Sequence, residues 1–106
     1  MSFHLSASDV HIDDNHILVA VLRDEEGEEH ESRLDLDEFL GNDEGRFDWG
    51  GNGFSGSARD VTFSIEGGGE VPVLRAELAN SEGEYFPADV NLSEHVENDN
   101  GKLIYQ

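Results

Sequence analysis

Short runs of apolar residues alternate with polar residues along most of this chain, with a period close to two. A period of two places every second side chain on the same face, which is typical of β-strands buried on one side. No segment shows the 3.6-residue period of a long helix. We therefore predict an all-β fold with strands at residues 3–12, 17–22, 32–36, 46–49, 54–65, 73–78, 88–92 and 102–105.

The second half of the sequence repeats the first. Residues Leu18–Leu22 match Leu74–Leu78 at an offset of 56 positions, and Glu26-Gly27-Glu28 matches Glu82-Gly83-Glu84 at the same offset. Upstream the offset is 51, which leaves an insertion around residues 66–70 of the second half. Because an internal repeat constrains the architecture, we predict one domain over residues 1–106, built of two tandem repeats at about 1–50 and 54–106.

Glycines and capping residues mark the connections between the predicted strands. Residues 25–28 and 81–84 each contain a glycine that tolerates positive φ, which predicts two hairpin turns. Residues 37–40 and 93–96 begin with residue types that cap helices, which predicts two single helical turns. The segment 50–53, Gly50-Gly51-Asn52-Gly53, joins the repeats. We interpret it as a plain connector in a monomer, and a flexible hinge in a domain-swapped dimer is the alternative.

The charge of the chain limits its partners. The 106 residues include 25 Asp+Glu against 6 Lys+Arg, which gives a net charge of −19. This charge repels nucleic-acid phosphates and anionic lipid head groups, so we expect neither nucleic-acid nor membrane partners. The sequence has no cysteine, which excludes disulfides and thiolate metal sites. The first residues lack the basic and apolar regions of a secretory signal, so we expect a cytoplasmic protein, and unconventional export is the alternative.

Motifs for catalysis and metal binding are missing from the sequence. It has no Gly-x-Ser-x-Gly elbow, phosphate loop or His-Glu-x-x-His motif, and its five histidines lack helical i, i+4 spacing. We predict that the protein is not an enzyme and that it needs no metal or cofactor. The turns at 42–45 and 98–101 partly resemble a calcium loop, but Leu40 and Val96 occupy the first ligand position. A calcium-dependent binder is a further alternative, for which a chelator is the test.

The duplicated turns are polar in both repeats. If the repeats fold with pseudo-twofold symmetry, the Asn-Asp turns and the hairpin turns converge twice and form two related surface sites. Such sites are rich in hydroxyl, amide and carboxylate groups, which exchange hydrogen bonds with the hydroxyl groups of a sugar. From the residues alone we predict a binding module.

The signature Asn-x-x-Gly-x-Phe/Leu-x-Trp/Tyr occurs at Asn42–Trp49 and again at Asn98–Tyr105, and Asn52-Gly53-Phe54 follows the first copy. With these motifs the whole chain resembles the cyanovirin-N homolog family of lectins. The resemblance implies an elongated pseudo-symmetric fold, in which each half is a three-stranded antiparallel sheet plus a β-hairpin with short helical turns. It implies strand exchange between repeats, with halves of about residues 1–39 plus 95–106 and about residues 40–94. The implied ligand is mannose, especially terminal Manα1-2Man of high-mannose glycans, bound without metal.

The resemblance places one sugar site near each end of the molecule. The first, which we expect to dominate, comprises Ser2, Leu5, Ser6, Arg23, Asp24, Glu25, Asn98, Asp99 and Asn100. The second comprises Gly41, Asn42, Asp43, Glu44, Asn52, Gly53, Gly56, Ser57, Ala79, Asn80 and Ser81. Gly41, Gly56 and Ala79 offer no side-chain hydrogen bond, so we expect the second site to be weak or silent. The same three residues motivate an alternative function, a protein-interaction domain that keeps the fold without binding sugar.

The resemblance also assigns residues to the core. The disulfide positions of the family prototype fall on Ala7 with Leu22 and on Ala58 with Leu78, so apolar pairs replace both bridges. We expect Trp49, Phe54, Phe3 and Tyr105 to pack rather than to stack on sugars. His95 is expected to pack in a partly buried turn.

Overall fold

Ten β-strands make up most of residues 7–66 and 71–106, the part of the chain that this computed structural model describes. They are β1 (Ala7–Asp13), β2 (Ile17–Arg23), β3 (Glu29–Asp35), β4 (Leu40–Asp43), β5 (Arg46–Trp49), β6 (Ala58–Glu66), β7 (Val71–Ala79), β8 (Tyr85–Asn91), β9 (Val96–Asp99) and β10 (Lys102–Tyr105). The helices in these ranges are 3₁₀ turns at Leu36–Glu38, Phe54–Ser57 and Leu92–Glu94. None of them has the length and apolar character that a membrane-spanning helix needs. The predicted all-β class is confirmed.

Two three-stranded antiparallel sheets form the framework, with strand orders β1-β2-β3 and β6-β7-β8. Two hairpins, β4-β5 and β9-β10, complete the described fold. The first strand of each sheet contains an irregularity in register, at which Asp9 and Asp60 both have a φ of 54°. Because Asp9 and Asp60 correspond in the sequence repeat, the two repeats share local backbone conformation as well as sequence pattern.

Each hairpin packs against the sheet of the other sequence repeat. The backbone N–H of Leu103 in β10 donates to the Ser32 hydroxyl in β3 at 3.0 Å. In the other half, the ring of Phe86 in β8 covers Gly45 between β4 and β5, and a Cβ atom on that glycine would lie 2.8 Å from the ring. The molecule is elongated, with principal extents of 50 × 27 × 21 Å. Each half therefore contains residues from both repeats.

The apolar core extends through both sheets. Fully buried leucines lie at equivalent positions of β2 and β7, and each contributes about 1.5–3 kcal/mol relative to an exposed position; they are Leu18, Leu22, Leu74 and Leu78. Ala7 lies opposite Leu22, and Ala58 lies opposite Leu78. As predicted, both apolar pairs pack in or against the core. Phe54 is also fully buried, whereas Phe3 lies outside the described residues.

The structure corrects several predicted strand boundaries. β3 begins at Glu29 rather than at residue 32, and β8 begins at Tyr85 rather than at residue 88. The added residues have exposed side chains, and they join the strands through backbone pairing with β2 and β7. β4 and β9 were not predicted as strands, because Gly41, Asn42 and Asp99 are typical of turns. Pairing with β5 and β10 makes these segments extended.

The helical turns also differ from the prediction. They begin at Leu36 and Leu92, one residue before the predicted start, because Asp35 and Asn91 are the capping residues. The Asp35 carboxylate accepts from the backbone N–H of Asp37 at 3.0 Å. Residues 54–57 form a further 3₁₀ turn instead of the start of a strand.

The connector between the repeats is hydrogen-bonded at both ends. The backbone N–H of Gly50 donates to the carbonyl of Phe39, and that of Gly53 donates to the carbonyl of Asp37, both at 2.8 Å. Gly53 also forms an isolated antiparallel bridge with Gly41. These hydrogen bonds tie the connector to residues 37–39 of the same chain, and the choice between a plain connector and the hinge of a domain-swapped dimer stays a prediction.

Aromatic rings meet where the two repeats join. Phe39 stacks on Tyr105 with ring centroids 4.4 Å apart, and Trp49 lies 4.7 Å from His95. The 56-residue offset relates Phe39 to His95 and Trp49 to Tyr105, so the pseudo-twofold axis passes through this cluster. His95 is partly buried, as predicted.

Candidate functional site

The second predicted site contains a cleft of about 390 Å³. It lies where the turn between β4 and β5 meets the turn between β7 and β8. Its lining residues all belong to the predicted second site, and they are Asn42, Asp43, Glu44, Ser57, Ala79, Asn80 and Ser81. The fold thus brings three separate segments of the predicted set together.

Asn42 connects these segments. Its Nδ2 donates to the Ala79 carbonyl at 2.7 Å and to the Ser57 Oγ at 2.8 Å. Its Oδ1 accepts from the backbone N–H of Gly45 at 2.8 Å. The Asn42 side chain therefore uses both of its polar atoms to hold the walls of the cleft.

The opposite wall is the turn that follows Asn80. Asn80 Oδ1 accepts from the backbone N–H groups of Glu82 and Glu84, at 3.0 and 2.9 Å. The backbone N–H of Ser81 donates to the Glu44 carboxylate at 2.8 Å. This hydrogen bond, followed by one from the Ser81 hydroxyl, lowers the pKa of Glu44. The carboxylate is therefore held ionised as a hydrogen-bond acceptor.

Four predicted residues of the second site lie outside the cleft lining, and they are Gly41, Asn52, Gly53 and Gly56. Gly41 is buried, and a Cβ atom there would lie 2.9 Å from the backbone nitrogen of Asn52. Gly56 is exposed, and a Cβ atom there would meet nothing within 4 Å. Close packing therefore requires glycine at position 41, whereas position 56 has room for a side chain.

The first predicted site repeats this arrangement at the other end. Asn98 Nδ2 donates to the Arg23 carbonyl at 3.0 Å, and Asn98 Oδ1 accepts from Gly101 N–H at 2.8 Å. The backbone N–H of Glu25 donates to Asn100 Oδ1 at 2.8 Å. These contacts join the predicted segments 23–25 and 98–100, and Asp99 is exposed between the two asparagines. Ser2, Leu5 and Ser6 lie outside the described residues.

Asp24 organises the hairpin turn of the first site. Its Oδ1 accepts from the backbone N–H groups of Glu26 and Glu28, both at 2.9 Å, and its Oδ2 lies 2.7 Å from His30 Nε2. The hydrogen bond with His30, followed by the one from the Glu28 backbone, lowers the pKa of Asp24. The Asp24 side chain therefore positions the turn, and it has little surface left for a ligand.

Two ring residues beside the sites were not predicted. His30 covers Gly101 at the first site, and Phe86 covers Gly45 at the second; a Cβ atom on either glycine would lie 2.8 Å from the ring. The 56-residue offset pairs His30 with Phe86, and this pairing was a signal in the sequence. Each ring packs against the glycine of its turn.

The CVNH domain model matches residues 3–104, nearly the whole chain. This chain belongs to the cyanovirin-N homolog (CVNH) family. The cyanovirin-N homolog of Neurospora crassa is 46% identical over 107 residues, covering 97% of this chain and 96% of that protein. The NMR structure of the Gibberella zeae CVNH protein is 50% identical with a TM-score of 0.90, covering 98% and 96% of the two chains. A MoCVNH3 variant in complex with (N-GlcNAc)4 is 28% identical with a TM-score of 0.83, covering 98% and 96%.

The two sites of this CVNH chain differ at four positions that the 56-residue offset aligns, and the difference between Asp24 and Asn80 leaves the turn hydrogen bonds unchanged. Arg23 and Glu25 of the first site correspond to Ala79 and Ser81 of the second, and Asn100 corresponds to Glu44. Asn100 and Glu44 accept the same backbone hydrogen bond, at 2.8 Å in both sites. The turn framework is therefore shared, while the side chains available to a ligand are not.

Potential metal ligands converge at two places among the described residues. One group is His16, Asp35 and Asp37, and the other is Asp24, Glu26 and Glu28. In the first group, the Asp37 carboxylate already accepts from the backbone and hydroxyl groups of Ser55. Neither group includes the turn at 42–45 that partly resembles a calcium loop. The hydrogen bonds between Asp37 and Ser55 link the segments on either side of the connector.

We expect His16 to make stability depend on pH. His16 Nδ1 lies 2.7 Å from Asp35 Oδ1 and 3.6 Å from Asp37 Oδ2, and its hydrogen bond with Asp35 raises the pKa of His16 above 6.5. A raised pKa in the folded state stabilises the fold below the unfolded pKa, and the gain is lost as pH rises through the folded value. The melting temperature of the wild type relative to His16→Gln should therefore fall as pH rises above about 6.5, the ordinary pKa of histidine. An unchanged difference between the two proteins would contradict this assignment.

Proposed function

We propose that this CVNH chain is a lectin that binds terminal mannose, especially Manα1-2Man of high-mannose glycans, without metal and without catalysis. The proposal rests on two places, one in each half of the molecule, where an Asn-Asp turn meets a hairpin turn. We call these places the turn junctions. Each junction is fixed by an asparagine that bonds to two backbone groups. Because its own hydrogen bonds already fix the site, its polar groups lose little conformational entropy when a sugar binds.

The second site shows how the polar groups serve a sugar. Ser57 Oγ accepts from Asn42, so the Ser57 hydroxyl hydrogen is available to donate to a sugar oxygen. Asp43 is exposed at the mouth of the cleft, and the ionised Glu44 lies beside it. Carboxylates accept strong hydrogen bonds from neighbouring hydroxyl groups. The cleft therefore combines one donor with two acceptors.

The first site is proposed to bind more tightly. Its Arg23 side chain is an exposed donor and its Glu25 side chain is an exposed acceptor, whereas the second site has Ala79 and Ser81 at these positions. Each hydrogen bond that the second site lacks costs about 1 kcal/mol of binding free energy. Affinity of a single site is expected to be modest, and tight binding needs both sites on one glycan.

The charge of the protein favours a neutral ligand. With a net charge of −19, acidic sugars and phosphates are repelled from the whole surface. The relative that was solved with (N-GlcNAc)4 supports a neutral oligosaccharide as the ligand class. Mannose is the more specific part of the proposal, and (N-GlcNAc)4 is a suitable competitor in its test.

Amide chemical shifts during titration with Manα1-2Man test this function. We expect saturable shifts at residues 23–25 and 98–100, weaker shifts at residues 43, 44 and 81, and none with glucose. Arg23→Ala should reduce affinity of the first site about fivefold, because one hydrogen bond is lost. The matched control is Arg46→Ala, since Arg46 is an exposed arginine outside both predicted sites.

Three results would contradict the proposal or part of it. Stronger shifts with (N-GlcNAc)4 than with the mannoside would overturn the mannose preference. Equal loss of affinity in both arginine variants would overturn the assignment of Arg23. No shifts with any sugar at millimolar concentration would reject the lectin function and favour the protein-interaction alternative.

A further inference from the structure

An arginine and a tyrosine form a stacked pair beside the second site. The Arg59 guanidinium lies 3.9 Å from the centroid of the Tyr85 ring. Tyr85 is 40% exposed, and the Arg59 side chain is 57% exposed. Large exposed aromatic rings are few among the described residues of this chain, and this one is held in place by a cation.

The register of the sheet places this pair next to the cleft. Tyr85 in β8 lies directly opposite Ala79 in β7, and Ala79 lines the cleft. Directly opposed residues of an antiparallel pair share one face, with Cβ atoms about 4.5–5.5 Å apart. Arg59 pairs with Glu77, two residues before Ala79 on the same face. The stacked pair therefore continues the surface that begins at Ala79.

The Arg59 side chain is anchored at one end. Its Nε donates to the Glu77 carboxylate at 2.7 Å. This hydrogen bond raises the pKa of Arg59, so the guanidinium stays charged. Within the described residues its Nη atoms have no hydrogen-bond partner, so they remain available as donors. A rigid guanidinium with free donors suits vicinal oxygen atoms, and the ring beside it offers apolar surface for the C–H groups of a sugar.

The first half has different residues at the equivalent positions. The sequence offsets relate Arg59 to Ser8 and Tyr85 to Glu29. There the Ser8 hydroxyl donates to the Glu29 carboxylate at 3.5 Å, with no ring and no cation. The stacked pair is therefore a feature of the second site.

We propose that Arg59 and Tyr85 form an extension subsite, which binds the next hexose residue of a neutral oligosaccharide whose terminal disaccharide occupies the second cleft. The inference rests on the lectin function proposed above and adds a chain-length preference to the second site. Carboxylates surround the pair at Asp60 and Glu77, so acidic sugar residues are disfavoured. With this subsite, the second site binds a disaccharide weakly and a longer oligosaccharide more tightly.

Titration with a linear mannotriose and with Manα1-2Man, read separately at each site by amide shifts, tests the subsite. At residues 43 and 81 we expect the trisaccharide to bind about fivefold more tightly than the disaccharide, with additional shifts at Tyr85. At residues 23–25 the two sugars should bind alike. The double variant Arg59→Ser with Tyr85→Glu, which introduces the residues of the first half, should abolish the preference at the second site.

Two further variants serve as controls for the aromatic ring and for the first half of the molecule. Tyr85→Phe keeps the ring and should retain the preference, and Glu29→Ala is the matched control in the first half. Equal affinities of the two sugars at the second site of the wild type would overturn the subsite while leaving the lectin function intact. Absence of shifts with both sugars at both sites would reject the lectin function, and the subsite with it. A preference that survives the double variant would also overturn the assignment.

Discussion

Replacing Asn42 with alanine is expected to lower the free energy of unfolding by about 2–3 kcal/mol. The side chain bonds to the Ala79 carbonyl, the Ser57 hydroxyl and the N–H of Gly45, and Gly45 is buried. Alanine leaves these partners without hydrogen bonds, and a buried polar group without a partner is costly. Chemical denaturation monitored by circular dichroism measures the change.

Asp43→Ala is the matched control for this prediction. Asp43 is the next residue along the same turn, its side chain is exposed, and surface substitutions of this kind stay within about 0.5 kcal/mol. Equal stabilities of the two variants would show that Asn42 does not hold the turn junction. The equivalent replacement, Asn98→Ala, should destabilise in the same way, since Asn98 makes corresponding bonds to Arg23 and Gly101.

This role of the asparagines affects how sugar binding is tested. Loss of binding in Asn42→Ala or Asn98→Ala would combine a disturbed turn with a lost ligand contact. Asp43 and Arg23 are exposed and lie outside this hydrogen-bond framework through their side chains, so their replacement reports more directly on the ligand.

Replacing Gly41 with alanine should lower the free energy of unfolding by about 1–3 kcal/mol, the usual cost of overpacking. A Cβ atom at this position would lie 2.9 Å from the Asn52 nitrogen and 3.1 Å from the Gly51 Cα. Both are backbone atoms, so relief of the clash requires a shift of the connector. Thermal and chemical denaturation measure the effect.

Gly56→Ala serves as the comparison, because a Cβ atom there meets nothing within 4 Å and the residue does not have positive φ. Alanine at such a position is neutral or stabilises by up to about 1 kcal/mol through the unfolded state. Equal destabilisation in the two variants would contradict the close packing at Gly41. If the prediction holds, the second site can be enriched with side chains at Gly56 and Ala79 but not at Gly41.

The sequence repeat by itself determined much of the architecture. The offset of 56 residues related Asn42 to Asn98 and Gly45 to Gly101, and in the structure each pair makes equivalent hydrogen bonds. The resemblance assigned Leu22 and Leu78 to the core, and the structure buries both of them fully. Composition alone excluded disulfides and disfavoured anionic partners.

Other features could be known only from the fold. β4 and β9 consist of residues typical of turns, and they become strands because β5 and β10 pair with them. The resemblance grouped polar residues into sites, but it did not show which of their side chains already form hydrogen bonds within the protein. The side-chain oxygens of Asp24 and Asn80 accept hydrogen bonds from the backbone of their own turns. The side chains of Asp43 and Arg23 take no part in these turn hydrogen bonds and are exposed.

The sequence by itself therefore determined the β class, the repeat and the positions of the polar turns, because residue type and alternation within short segments, compared between the two repeats, are enough to show them. Tertiary structure decided that Gly41 must lack a side chain, that Phe86 and His30 support the turns, and that Tyr85 lies beside the second cleft. The physical reason is that each of these facts depends on contacts between residues distant in sequence. Periodicity and residue type carry no information about such contacts until the strands have paired.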